Sequence, residues 1–144
     1  MNSADLVHWM RQRLLERIPD LLVSGAAGFQ AASENNPLST PAVYVFSVHE
    51  AAETSTIDFP LSQRVKFALA VVIVVRNVAD SLGDAACESL DAVRADIWSA
   101  LHGAQIDADH EPLTFDSGSV LALRDRHLWW QDLWLSARHV AAAL

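Results

Sequence analysis

The sequence has 144 residues, of which 51% are hydrophobic and 19% charged, and it carries a formal net charge of −8. This composition excludes a disordered chain and fits one folded domain, while the negative charge disfavours nucleic-acid binding. The longest apolar run, Phe67 to Val75, has nine residues, and a membrane-spanning helix needs about 20. We therefore expect a soluble acidic protein without membrane contact.

The first predicted element is an amphipathic helix over Met1 to Arg17, because apolar residues recur there at three- and four-residue spacings. These residues are Leu6, Val7, Met10, Leu14 and Ile18. Ser3 is the expected N-cap. Pro19 ends the helix, since the residue before a proline is pushed out of the helical region.

Mostly extended segments are predicted next. Leu21 to Ser24 predicts a short strand, and Pro41 to Val48 predicts a second one. Between them, Gly25 to Asn36 is rich in small residues and predicts no more than one helical turn, near Ala27 to Ser33. Glu50 to Phe59 is polar and rich in Thr and Ser, so it predicts a loop or an extended hairpin arm.

The strongest strand signal runs from Ser62 to Val78. One face is apolar throughout, and it consists of Val65, Phe67, Leu69, Val71, Ile73 and Val75. The other face begins polar, becomes apolar and closes at an arginine; it consists of Arg64, Lys66, Ala68, Ala70, Val72, Val74 and Arg76. The pattern predicts a strand longer than typical by two- to threefold, solvated at one end and covered on both faces at the other.

A second helix is predicted after a turn at Asp80 to Gly83. It spans Asp84 to His102 and stops at Gly103, a typical helix-ending residue. Its expected buried stripe consists of Cys87, Leu90, Val93, Ile97, Trp98 and Leu101.

The remaining elements are strands. Glu111 to Phe115 and Val120 to Arg124 are predicted to flank a tight turn at Asp116-Ser117-Gly118. Leu128 to Val140 predicts a final strand, with a helix as the alternative. The element order predicts an α+β fold with two helices packed on one face of a largely antiparallel sheet, in a single domain over residues 1–144.

The sequence shows no catalytic arrangement. Asp107, Asp109, His110 and Glu111 come nearest to a metal cluster, but they share one loop and match no metal-site spacing. Cys87 is the only cysteine. It forbids an intrachain disulfide, fits a reducing cytoplasm, and has no adjacent base. We therefore expect no catalytic residue, cofactor or metal, and keep a small metal-dependent hydrolase using the loop as an alternative.

Apolar residues suggest an assembly surface instead. Three tryptophans lie within six residues, and if the segment is extended, Trp130 and Trp134 share a face while Trp129 lies on the other. Indoles on both faces of one strand are hard to bury in a small domain, and Trp is enriched at interfaces. Ile57 and Phe59 occupy an otherwise polar arm, Thr54 to Phe59. The candidate assembly interface consists of Ile57, Phe59, Arg64, Trp129, Trp130 and Trp134.

Several segments together resemble the tail terminator (tail completion) proteins of long-tailed bacteriophages. They are Pro41-Ala42-Val43-Tyr44-Val45-Phe46, Gln63-Arg64-Val65, Val72-Ile73-Val74-Val75-Arg76-Asn77, Asp80 through Gly83, and Leu128-Trp129-Trp130-Gln131-Asp132. The likeness extends from the first helix to the last strand. The aromatic-Trp-Gln-Asp segment and the long strand ending in Arg-Asn are its most specific parts.

The resemblance implies a non-enzymatic virion protein without a cofactor. It implies a homo-oligomer, a hexameric ring that caps the tail-tube protein, halts tube polymerisation and offers a docking surface for head-tail connector proteins. Genomic DNA would pass through the ring without specific binding. The expected location is the head-proximal end of the virion tail, after synthesis in the host bacterial cytoplasm. Another head-tail joining (neck) protein or a tube-like virion adaptor is the alternative.

Overall fold

The structure, a computed structural model, describes residues 2–37, 39–55, 57–58, 61–76 and 84–141. The helices in this part of the chain are α1 (Ser3–Arg17), α2 (Ala26–Asn35) and α3 (Asp84–Leu101). The strands are β1 (Leu22–Ser24), β2 (Ala42–Ala52), β3 (Ile57–Asp58), β4 (Leu61–Arg76), β5 (Thr114–Arg124) and β6 (His127–Ala141). The predicted α+β class is confirmed.

The sheet is built around β4, which has 16 residues and is therefore roughly 50 Å long. The strand order is β1-β2-β4-β6-β5, and the short β3 pairs with the start of β4. All pairs are antiparallel except β1 with β2. The sheet is therefore largely antiparallel, as predicted.

The two predicted faces of β4 are confirmed by two separate cores. The first face, with Phe67 and Ile73, packs in the larger core together with α1 and α3. The second face contributes Val72 and Val74 to a smaller core on the other side of the sheet. Apolar side chains on both faces of one strand are thus explained by cover on both sides at its C-terminal end.

α1 packs as predicted, but its cap differs. Leu6, Met10 and Leu14 are fully buried. Asn2 is the N-cap instead of Ser3, because its side chain accepts a hydrogen bond from the backbone N–H of Asp5, whose carboxylate accepts one from the backbone N–H of Asn2. This reciprocal pair satisfies two backbone donors at the helix start.

α2 is longer than the single turn predicted, and it adds a helix to the opposite face of the sheet. Its alanines give a weak periodic signal, so its position comes from tertiary packing. Ala32 and Phe29 lie in the smaller core, where the Phe29 ring is 4.8 Å from that of Phe46 and 6.0 Å from that of Tyr44. The two predicted helices, α1 and α3, do share one face, and α2 covers part of the other.

α3 begins at Asp84, as predicted, and Gly103 follows its end with a positive φ of 74°. Leu90, Ile97 and Leu101 are buried. Cys87 is exposed, which corrects its assignment to the buried stripe, because it lies in the first turn, before the first of these buried residues. The predicted turn at Asp80 to Gly83 and the end of the predicted strand at Val78 lie outside the described residues.

The predicted turn at Asp116-Ser117-Gly118 is wrong. β5 runs through it without reversal, and the chain turns at Asp125 and Arg126, whose φ angles are 49° and 60°. Two consecutive positive φ angles are typical of a two-residue hairpin turn. Gly118 permits close packing against β6 and does not form a turn. A Cβ at this position would lie 2.7 Å from Asp132 Oδ1 and 2.8 Å from the Trp130 ring.

β6 confirms the predicted final strand and excludes the helix alternative for that segment. It pairs with β4 from His127 to Ala141 and with β5 from His127 to Leu135. None of the helices in the described residues combines the length and apolarity that a membrane crossing requires.

Candidate assembly surface

The tryptophans of β6 alternate as predicted. Trp130 and Trp134 pack on the larger core, and Trp129 lies in the smaller core on the opposite face. Their exposure differs, and it decides which of them a partner can reach.

Trp134 and Trp129 are core residues. Trp134 is fully buried and makes edge contacts with Trp98 and Phe115, with ring centroids 5.3 and 5.5 Å apart. Trp129 is 2% exposed and stacks on Tyr44 at 6.5 Å. Burial therefore removes both from the candidate assembly surface. The indoles on the two faces can both be buried because helices cover both sides of this part of the sheet.

Trp130 is half-buried and belongs to a polar cluster with Asp132 and Arg94. The Asp132 carboxylate is fully buried. It accepts hydrogen bonds from Arg94 Nε and Nη2, both at 3.0 Å, and from Trp130 Nε1 at 2.8 Å. The Arg94 guanidinium also lies 4.8 Å from the centroid of the Trp130 ring. Planar, bidentate pairing of this kind holds α3 at a fixed position on the sheet.

Sequence reasoning missed this cluster. The sequence feature that could have predicted the cluster is the position of Arg94 on α3. It lies four residues after Leu90 and three before Ile97, and both of these residues are buried. A charged residue on an apolar stripe calls for an opposite charge on the surface that it faces. Asp132 is the acidic residue between the tryptophans, and it meets that requirement.

Arg64 lies on the second face of β4 and is paired within its own chain. Its Nε and Nη2 donate to Glu111 at 2.6 and 2.9 Å, and its Nη1 donates to Glu53 at 2.7 Å. His139 Nε2 lies 3.3 Å from Glu111. Hydrogen bonding from Arg64 lowers the pKa of Glu111, and the same pair raises the pKa of Arg64. Any partner must therefore meet a largely neutralised ion-pair network here.

The acidic loop is organised around its own backbone. The Asp107 carboxylate accepts hydrogen bonds from the backbone N–H groups of Asp109 and His110, at 2.9 and 3.0 Å, and lies 2.7 Å from His110 Nδ1. The contact with His110 is the main cause of a lowered Asp107 pKa. Glu111 faces Arg64 instead. Among the described residues, no group of three or more His, Cys, Asp or Glu could hold a metal ion.

The arm is only partly described. β3, Ile57–Asp58, pairs with Leu61 and Ser62 of β4, and Glu50 to Ala52 of the predicted loop or arm belong to β2. The side chain of Ile57 and the whole of Phe59 lie outside the described residues. Their role in assembly stays a prediction.

Exposed apolar side chains concentrate on β5, at the margin of the sheet. Val120, Leu121 and Leu123 are 57%, 44% and 66% exposed. Within the part of the chain that the structure describes, β5 pairs with β6 alone. The sequence does not predict this surface, because Asp116-Ser117-Gly118 has the composition of a turn and β5 contains it. The signal was the unbroken apolar run from Val120 to Leu123, which puts apolar side chains on both faces of one strand.

Comparison with solved structures identifies the class of fold. A matching chain from the structure described as "Virion of native gene transfer agent (GTA) particle" has a TM-score of 0.51 and 15% sequence identity. The alignment covers 96% of this chain and 98% of that one. At this identity the likeness concerns the fold, and it extends over nearly the whole of both chains.

The family model for "Phage tail terminator protein" matches residues 2–141. The chain belongs to this family, as the segments in β2, β4 and β6 predicted, and it is a structural, tail-related virion protein. None of the curated proteins matches the sequence.

Proposed function

We propose that this protein forms a ring that caps the last layer of the phage tail tube. The ring stops tube polymerisation and provides the docking surface for the head or its connector proteins. The observation that carries the proposal is the family match over residues 2–141, which includes every strand and helix described above.

The apolar margin at β5 supports a role in assembly. Contiguous exposed apolar side chains mark interaction sites more often than isolated ones do, and Val120, Leu121 and Leu123 lie within four residues of each other. A ring of identical subunits needs a head-to-tail interface that uses two different surfaces of each copy. The β5 margin is a candidate for one of these surfaces.

The charge of the subunit supports passage of DNA. A net charge of −8 gives little electrostatic attraction for phosphates. The cations Arg64 and Arg94 are paired with carboxylates of their own chain. Genomic DNA would therefore cross the ring without specific binding.

The experiment compares tails assembled with and without this protein. We expect tubes of uncontrolled length, without joined heads, when the protein is absent. The double variant Leu121→Lys/Leu123→Lys should give the same defect, because two cations on β5 oppose docking. Leu15→Lys is the matched control, since Leu15 is 37% exposed but lies on α1. Normal tube length and joined heads in particles that lack the protein would refute the proposal.

A further inference from the structure

The β5 margin leaves one edge of the sheet open in the described residues. β5 has eleven residues and pairs on one side with β6. Open edges are usually protected by lysine, proline or bulges. β5 has two bulges but contains neither lysine nor proline, and the second bulge lies where Val120 and Leu121 are both exposed. An edge of this kind can accept another strand.

A second open edge lies on the opposite margin, along β2. β1 pairs only with Ala42, Val43 and Tyr44. β2 continues to Ala52, so in the described part of the chain Val45 to Ala52 has a partner only on its β4 side. Val48, at the bulge of this segment, is 51% exposed. Within its described residues, each copy therefore has two different open edges.

The strand directions make these edges complementary. β2 is antiparallel to β4, β4 to β6, and β6 to β5, so β5 runs opposite to β2. When copies are related by rotation about an axis along the strands, β5 of one copy meets β2 of the next in antiparallel orientation. The alternation of strand direction within the subunit then continues from one copy to the next.

The two edges also lie at overlapping levels along the sheet. Ser47 pairs with Leu69, Leu69 with Trp134, and Trp134 with Phe115. Ser47, within the open part of β2, is therefore level with Phe115 near the start of β5. Val120 is level with Val43, which β1 already pairs, so the exposed apolar end of β5 reaches the open part of β2 only when neighbouring copies are staggered along the strands. Closed sheets require such a stagger.

From these observations we infer that copies of this protein join by antiparallel pairing of β5 with the Val45–Ala52 segment of β2 in the next copy. The inference rests on the proposed ring and names its subunit interface. Pairing of β5 with β5 would instead give a closed dimer that leaves both β2 edges open. Head-to-tail pairing uses both edges, and it forms a ring when the rotation closes.

Cysteine cross-linking tests the interface. In a Cys87→Ser background, Val48→Cys is combined in turn with Ser117→Cys, Ser119→Cys or Leu121→Cys, and the ring is assembled on tail tubes and oxidised. Cross-strand Cα atoms lie about 4.5–5.5 Å apart, within the range that a disulfide spans. We expect at least one pair to give a covalent ladder up to the full ring. The matched single-cysteine variants should stay uncross-linked.

The outcomes separate this inference from the proposed function. Rings on tube ends that give no ladder with any pair would overturn the interface but keep the function. Dimers from the Leu121→Cys variant alone, without a ladder from the pairs, would show β5–β5 contact and also overturn it. Tubes without any ring would refute both.

Discussion

At the scale of the residue, the polar cluster in the wall of the larger core explains why a tryptophan-rich strand carries an aspartate. Asp132 is fully buried, and its carboxylate is satisfied by Arg94 and Trp130. Gly118 allows this arrangement, since a side chain there would overlap Asp132 and Trp130. These residues orient α3 against the sheet.

We expect Asp132→Ala to destabilise the fold by about 3 kcal/mol, because it leaves the Arg94 guanidinium without its partner in a half-buried site. Urea unfolding followed by tryptophan fluorescence and circular dichroism measures this loss. Asp96→Ala, which removes an exposed carboxylate on the same helix, is the control and should change stability by less than about 0.5 kcal/mol. Equal effects of the two substitutions would contradict the assigned role.

The sequence alone predicts the faces on which the β6 tryptophans lie but not their burial. Period-two alternation places Trp130 and Trp134 on one face and Trp129 on the other, and the structure agrees. It does not predict that both faces are covered, because the cover over Trp129 includes α2 and the stacked Tyr44 ring. Burial depends on contacts between distant segments, and local pattern carries little information about them.

At the scale of the element, the Arg64–Glu111 pair ties the solvated half of β4 to the loop that precedes β5. Because the pKa of Glu111 is lowered in the folded state, its ionisation stabilises the fold above its unfolded pKa, about 4.3. That contribution is lost as the pH falls through the lower folded value. The pair is partly exposed, so its stabilisation is below about 1 kcal/mol.

We therefore expect Glu111→Gln to be less stable than the unmodified protein at pH 7 and to approach it in stability near pH 3. Thermal midpoints between pH 3 and pH 7 measure the difference. Arg64→Gln removes the other partner and should show the same convergence. If the difference in thermal midpoint between the variant and the unmodified protein stayed constant across this pH range, the charge of Glu111 would not contribute to stability.

The arm gives a prediction about assembly and not about folding. Ile57→Asp with Phe59→Asp should leave the circular dichroism spectrum and thermal midpoint close to those of the unmodified protein but abolish ring formation on tubes, because charges oppose burial of the arm. Ser89→Asp with Ala92→Asp adds the same charge at exposed positions of α3, away from the arm, and controls for it. Normal rings from the Ile57/Phe59 variant would exclude the arm from the interface.

The elements differ in how well sequence predicts them. β4 and α1 have long periodic patterns, so their positions and their buried faces follow from the sequence, whereas the N-cap of α1 does not. The turn inside β5 was predicted wrongly because Asp116-Ser117-Gly118 has turn composition, whereas Gly118 is needed for close packing against β6. Local composition cannot distinguish a glycine that permits a turn from one that permits a close approach.

At the scale of the whole molecule, the helices cover only part of the sheet. α1 and α3 lie on one face, α2 covers only part of the other, and the described residues leave the outer sides of β5 and Val45–Ala52 open. The class of fold and the family follow from segments spread along the chain. The open edges cannot be predicted from these segments, because they depend on the order of strands in the sheet.

A cryo-EM map of the complete virion tests the central proposal most directly. The proposed function predicts density for this fold as one closed ring, between the last layer of the tail tube and the head-tail connector. Copies repeated along the tube would show a tube-like subunit, and copies on the head side of the connector would show a neck protein. Either position would contradict the assignment of this protein as the component that ends the tube.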